Sequence, residues 1–219
     1  MKKGDFVEVD YTGKLADTGE VFDTTNAEAA KKAGMDKGNF KPIIIELGKN
    51  WLLPGIEKQL DGKELGSYNF KVKPEEGFGK KNPKLMQLVA TSKFRQQNIN
   101  PMPGMQLNID GVVGTIKAVS GGRVIVDFNH PLAGRNLDYD ITVKRIVTDP
   151  KEKINAMLSI LGIKADLKIE VEKAVLTPEK ELPESIRQKF SEEIKKSVPE
   201  IKSVEFGKKE VSQKKTPAK

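Results

Sequence analysis

Cys and His, the side chains that most often carry thiol or metal chemistry, are nearly absent from this sequence. There is no Cys, which excludes thiol nucleophiles, disulfides and thiolate metal sites. The only His is His130, in Asn129-His-Pro-Leu-Ala-Gly134, with no second ligand residue nearby in the sequence. A hinge or hydrogen-bonded structural role is the commoner fate of such a histidine, so neither a metal nor a cofactor is expected. What remains are phenols, carboxylates and apolar rings on short alternating runs. Taken singly, Tyr11, Phe22, Ile43, Ile56 and Tyr139 read as core residues of a half-buried sheet, and Asp23 as a turn or loop cap. Such a set can bind a ligand and exclude water.

The totals narrow the classes further. At 219 residues with 37% hydrophobic content, the chain suits small domains with modest cores. Lys and Arg number 38 against 31 Asp and Glu, a net charge of +7. These charges are interspersed along the sequence, not gathered into a basic stripe, which argues against a nucleic-acid partner. No apolar stretch reaches the length of a signal peptide near Met1, and none approaches about 18 consecutive residues. The expectation is a cytoplasmic protein without a membrane partner.

Along the chain, Val7, Val9 and Tyr11 alternate with polar residues as in a strand with one buried face, closed by Gly13. Val21-Phe22-Asp23 reads as the returning strand of a hairpin. Residues 24–42 form a flap loop with a short helical piece over Ala27 to Ala33. Ile43 to Leu47 is an apolar β-branched run, and Pro54 opens a short helix with Ile56 and Leu60 inward and Gly62 as its stop. Trp51, on the loop between them, reads equally as core or as an exposed contact. Tyr68, Phe70 and Val72 restore the strand period, and Tyr139, Ile141 and Val143 repeat it after a gap, as if an insertion interrupted one sheet. Within the gap lie a helix over Ser92 to Gln97 and apolar runs Met105–Ile109, Val112–Val119 and Arg123–Phe128, parted by Asp110-Gly111 and Ser120-Gly121-Gly122 turns. Beyond it, Asp149 and Pro150 cap a helix with Ile154, Met157, Leu158 and Leu161 on one face. A strand through Leu167, Ile169 and Val171, a helix striped by Ile186, Phe190 and Ile194, and a weaker strand at Val204 and Phe206 follow.

Certain short motifs occur in order: Val9-Asp-Tyr-Thr-Gly-Lys-Leu15, Val21-Phe-Asp-Thr-Thr25, Glu46-Leu-Gly-Lys49, Leu52-Leu-Pro-Gly-Ile-Glu57 and Pro74-Glu-Glu-Gly-Phe-Gly79. This series resembles the FKBP family of peptidyl-prolyl isomerases. The later Asp127-Phe-Asn-His-Pro-Leu-Ala-Gly134 resembles the point at which SlyD-type members return from an inserted chaperone domain. The resemblance implies an α+β fold: an FKBP-like antiparallel sheet wrapped on a short helix, an inserted small β-rich domain and a C-terminal α/β module like that of long archaeal members. The implied boundaries are 1–85 with 130–148 for the isomerase domain, 86–129 for the inserted flap chaperone domain, 149–207 for the C-terminal domain and 208–219 for a disordered basic tail.

The same resemblance assigns roles. Phe22, Ile43, Leu52, Ile56 and Tyr139 would wall a proline pocket; Tyr11 and Asp23 would form its polar wall; the Leu53 N–H would hold a substrate carbonyl. Phe78 falls where the family often has a Tyr hydroxyl, and Ile56 where it usually has Trp. The missing hydroxyl removes about 0.5–1.5 kcal/mol of hydrogen bonding, so reduced but not absent activity follows. Leu88, Val89, Met102 and Met105 are the expected contacts to unfolded chains, the thioethers suiting promiscuous binding. SlyD-type tails often bind metal through His and Cys, and residues 208–219 contain neither. The implied function is a peptidyl-prolyl cis-trans isomerase that also captures unfolded polypeptides with X-Pro bonds; the rival reading is a holdase with a weak or inert pocket. An edge strand in residues 151–206 leaves homodimerisation open.

Overall fold

The computed structural model describes residues 1–35, 37–38, 40–109 and 111–207. In chain order the elements are β1 (Phe6–Leu15), β2 (Val21–Thr24), α1 (Ala27–Lys32), β3 (Ile43–Glu46), α2 (Pro54–Leu60), β4 (Gly66–Val72), β5 (Met86–Ala90), α3 (Thr91–Gln96), β6 (Gln106–Ile109), β7 (Val112–Ser120), β8 (Arg123–Asp127), β9 (Leu137–Val147), α4 (Pro150–Ile160), β10 (Ala165–Glu170), β11 (Lys173–Pro178), α5 (Glu184–Ser197) and β12 (Ser203–Phe206). The chain forms two compact units, one of Met1–Lys14, Glu20–Phe70 and the chain from Tyr139, the other of Leu15–Gly19 and Lys71–Asp138. Among the described residues no helix is long and apolar enough to cross a membrane. The basic tail expected over 208–219 lies outside the described residues.

In the first unit, strands run in the order β2-β1-β9-β4, with β3 also pairing on β1. The long strand β1 pairs β3 through Phe6–Val9 and β2 through Thr12–Lys14, both antiparallel. Because side chains alternate along a strand, this register sorts β1 and β3 into two faces. Val7, Val9, Tyr11 and Gly13 share one face with Ile43 and Ile45, and Phe6 and Glu8 share the other with Ile44 and Glu46. Gly13 does not close the strand as its turn propensity suggests; β1 continues to Leu15.

The face bearing Phe6 is covered by the C-terminal elements. Phe6 and Val147 are buried in one cluster with Ile154, Met157 and Leu158 of α4, Leu167, Ala174 and Leu176 of the sheet β10-β11-β12, and Phe190 and Ile194 of α5, with Ile44 and Trp51 packed against it. Trp51 is half-buried and meets Phe6 edge to face with ring centroids 6.1 Å apart, so it packs against this core. Pro150 starts α4 behind Asp149, whose carboxylate accepts the Lys151 N–H at 3.1 Å. The strand expected through Val171 instead ends at Glu170, and Val171 occupies a hairpin turn, 96% exposed at φ 53°. The strand β11 returns antiparallel from it, and α5 provides the crossover that a parallel β11–β12 pair requires. The order is therefore helix-strand-strand-helix-strand, and Ile186 and Leu161 of the expected stripes are exposed.

In the second unit, β5-β8-β7-β6 form a sheet of antiparallel pairs. Its core is Phe94, Ile116, Val124 and Val126, with Val89, Ile99, Met105, Leu107, Ile109 and Phe128 packed around it. The strand β5 was not legible as such, because all of its residues but the half-buried Val89 are exposed.

Candidate active site

The hairpin β1–β2 contains an irregularity that the sequence period does not show. Gly13 lies opposite Asp23 but Lys14 lies opposite Val21, so the register shifts by one residue at Phe22. A bulge of this kind breaks strict alternation and re-aims side chains. A regular strand would send Phe22 and Asp23 to opposite faces. Here the Asp23 carboxylate accepts a 2.9 Å hydrogen bond from the Tyr11 hydroxyl, while the Phe22 ring meets Tyr139 edge to face at 5.8 Å. Tyr139 in turn lies 6.0 Å from Tyr11. The structure thus gathers Tyr11, Phe22, Asp23 and Tyr139, with Ile43 on the same face of the sheet through its pairing with Val9.

Gly13 makes this cluster physically compatible with the sheet. A Cβ built on Gly13 would lie 2.8 Å from Cζ of Phe22 and 2.9 Å from Cε1 of Tyr139, closer than carbon atoms approach. The absence of a side chain is what lets both rings lie over the strand. In the sequence the same glycine reads only as a strand terminator.

Threonines lock the segment after Asp23. The Thr24 hydroxyl donates to the Tyr11 carbonyl at 2.9 Å and is 2.8 Å from the Thr12 hydroxyl; the Tyr11 N–H donates to the Thr25 hydroxyl at 2.7 Å. The Thr25 hydroxyl also donates to the Asp10 carboxylate. Asn26 then caps α1, its side chain accepting the Glu28 and Ala29 N–H groups at 3.0 and 2.9 Å. Beside this, Asp23, Thr24, Gly34, Met35, Lys37 and Phe40 line a cleft of about 520 Å³.

Burial, and then the Asp23 charge, push the phenols of Tyr11 and Tyr139 well above their ordinary range. Both are neutral hydroxyls at any physiological pH. For Tyr11, donation to Asp23 adds to the same effect. The site therefore presents apolar rings and an uncharged donor beside a carboxylate, not an acid–base pair.

Leu52, Leu53 and Ile56 come from a second element. Leu53 precedes α2, with its carbonyl accepting the Ile56 N–H at 2.8 Å; Leu52 and Leu53 are half-buried and Ile56 is fully buried. Glu57, buried on the same helix, holds the loop leading into them: its carboxylate accepts the Gly48 N–H at 2.9 Å and the Leu52 N–H at 3.2 Å. In the sequence Glu57 stands out only as the last residue of a motif, with nothing to mark this work.

Phe78 belongs to the second unit, where its ring stacks on His130 with centroids 4.5 Å apart. His130 Nδ1 accepts the Leu132 N–H at 3.2 Å, a local structural use of the ring. Of the expected client contacts, Leu88 is 66% and Met102 56% exposed, whereas Val89 and Met105 pack against the core of their sheet.

The first unit thus presents an apolar cluster with a Tyr–Asp pair at a bulged hairpin, followed by a short helix that Pro54 opens. Residues 1–95 match the FKBP-type peptidyl-prolyl cis-trans isomerase family, and residues 87–132 match the FKBP26 IF-domain family. The short-type peptidyl-prolyl cis-trans isomerase of Methanocaldococcus jannaschii is 34% identical over 149 residues, covering 67% of this chain and 94% of that protein. The FKBP-type 16 kDa peptidyl-prolyl cis-trans isomerase of Escherichia coli is 33% identical over 129 residues, 57% of this chain and 83% of its own length. The FKBP-type isomerase SlyD of Haemophilus influenzae is 35% identical over 109 residues, 47% and 56% of the two chains. This chain belongs to the FKBP-type peptidyl-prolyl cis-trans isomerases and is an isomerase.

Proposed function

We propose that the chain isomerises X-Pro bonds in unfolded or partly folded polypeptides at the face formed by Tyr11, Phe22, Asp23, Ile43, Leu52, Leu53, Ile56 and Tyr139, and captures those polypeptides through the β5–β8 sheet unit, the inserted chaperone domain of residues 86–129. The barrier to rotation, about 18–20 kcal/mol, comes from amide resonance. Twisting the amide removes conjugation and some of the carbonyl's polarity, so a surface that binds the twisted form better than either planar form accelerates the reaction without a nucleophile. In this reading Phe22 and Tyr139 hold the proline ring, the Leu53 N–H holds a substrate carbonyl, and the Tyr11–Asp23 pair forms the polar wall beside the rotating bond. The observation that carries it is the bulge at Phe22, which brings an apolar ring and a carboxylate to one side of the strand.

Capture is supported by Leu88 and Met102, large apolar side chains left in solvent. Leu88 lies opposite the half-buried Ile125, which is itself paired with Ala118, so these form an apolar stripe across the sheet. Two substrates test the proposal. Phe22→Ala should reduce exchange of a proline tetrapeptide and of an unfolded protein alike. Leu88→Ser with Met102→Ser should slow refolding of the unfolded protein several-fold and spare the tetrapeptide. Equal loss on both substrates would refute capture, and an unchanged exchange rate in Phe22→Ala would refute the site.

A further inference from the structure

The loop bearing Leu52 and Leu53 is held from two sides, and one of them is the C-terminal part of the chain. From α2, Glu57 takes the N–H groups of Gly48 and Leu52. From the opposite face, the Lys49 ammonium donates to the Glu193 carboxylate of α5 and lies 4.0 Å from the buried Glu46 carboxylate at the end of β3. Two residues on, the Trp51 ring is packed against the core that α4 and α5 build with Phe6. Asn50, between these anchors, adopts φ 55°, a left-handed turn that sends the chain from one anchor to the next.

We infer that the C-terminal segment is a working part of the isomerase site: Glu193, acting through Lys49, together with the core around Trp51, positions the loop that presents Leu52 and the Leu53 N–H to substrate. Glu193 is a positioning residue and touches no substrate. An N–H that must meet a carbonyl with hydrogen-bond geometry cannot wander by an ångström without large loss of rate. A loop of a few residues pinned at Gly48, Lys49, Trp51 and Leu52 has little freedom left. The inference rests on the reading of Leu52 and Leu53 as part of the site.

The test uses the full chain with Glu193→Ala, whose carboxylate is partly exposed, so that the fold survives its removal. The neighbouring Glu192→Ala is the control. The measurements are kcat and KM for a proline tetrapeptide, and amide hydrogen exchange across residues 48–53. Glu193→Ala should lower kcat/KM about three- to tenfold and accelerate exchange at Gly48 and Leu52, leaving Ile141 and Val143 as protected as before. Lys49→Ala should give the same loss, and the double variant no further loss, because both act through one tether. Unchanged kcat/KM in Glu193→Ala would overturn the inference, whether or not loop exchange accelerates. Additive losses in the double variant would overturn it too, since Glu193 would then act by another route. Failure of the site reading itself would be seen separately, as an unchanged exchange rate in Phe22→Ala.

Discussion

Replacing Gly13 by Ala tests the architecture of the site with one methyl group. The added carbon would lie 2.8 Å from the Phe22 ring and 2.9 Å from the Tyr139 ring. Carbon atoms settle at about 3.5 Å or more, so both rings must retreat, by about 0.6–0.7 Å. Gly13 does not sit in the left-handed region, so Ala adds no backbone strain and the effect is purely one of space. Overpacking of this kind costs about 1–3 kcal/mol, or about 2–4 °C of melting midpoint per kcal/mol for a chain of this size. The larger effect should be catalytic, because a displacement of this order at a binding surface costs about 10- to 100-fold in kcat/KM. The assay is cis–trans exchange of a proline tetrapeptide, read directly by NMR, beside a thermal melt. Combining Gly13→Ala with Phe22→Leu removes the Phe22 contact and leaves the one to Tyr139, so stability should return in part while activity does not. A Gly13→Ala protein with kcat/KM within about twofold of wild type and an unshifted melt would refute the reasoning, since the rings would then be free to move without consequence.

Other expectations are independent of that one. Because folding raises the affinity of the Tyr11 and Tyr139 phenols for their protons, their contribution to stability is complete below the unfolded value of about 10 and is lost as pH rises above it. Denaturant unfolding followed from about pH 8 to 11.5 should fall steeply above about 10, and Tyr11→Phe should flatten the fall; an equally steep decline in the variant would count against it. Glu57→Ala orphans the N–H groups of Gly48 and Leu52 and should cost about 2–4 kcal/mol in urea unfolding with an unchanged m-value. Val171→Asn places at φ 53° a residue that tolerates it, and should raise stability by about 1 kcal/mol, measured the same way; a destabilised variant would show that the turn is not strained.

What could be recognised before the structure was periodic or motif-borne. Val7, Val9 and Tyr11, the Pro54 helix start and the Asp149-Pro150 cap all reflect local rules that tertiary context did not override. The bulge at Phe22 was invisible because the period of a strand assumes one residue per partner, and only the register with β1 shows the shift. Val171 misled for a related reason: its place in an alternating run and its β-branched side chain both say strand, yet the chain reverses there. The strand β5 escaped notice because it is an edge strand with exposed side chains on both faces, so burial leaves no alternation to read. Glu57 carried no signal beyond its motif, since an acidic residue on a short helix is ordinarily solvated.

The burial of Phe6 with Ile194 and Ile201 bears on how the protein comes into being. At about 5–20 residues per second, a ribosome needs about 10–40 s to travel from the first of these positions to the last. Throughout that interval the inner aspect of the opening strand lacks the cover it will finally have, and closure of such distant sequence neighbours is slow in its own right. An isomerase built this way is itself a late folder: the Phe6 face of its sheet depends on other sources of protection until Ile194 and Ile201 have been synthesised.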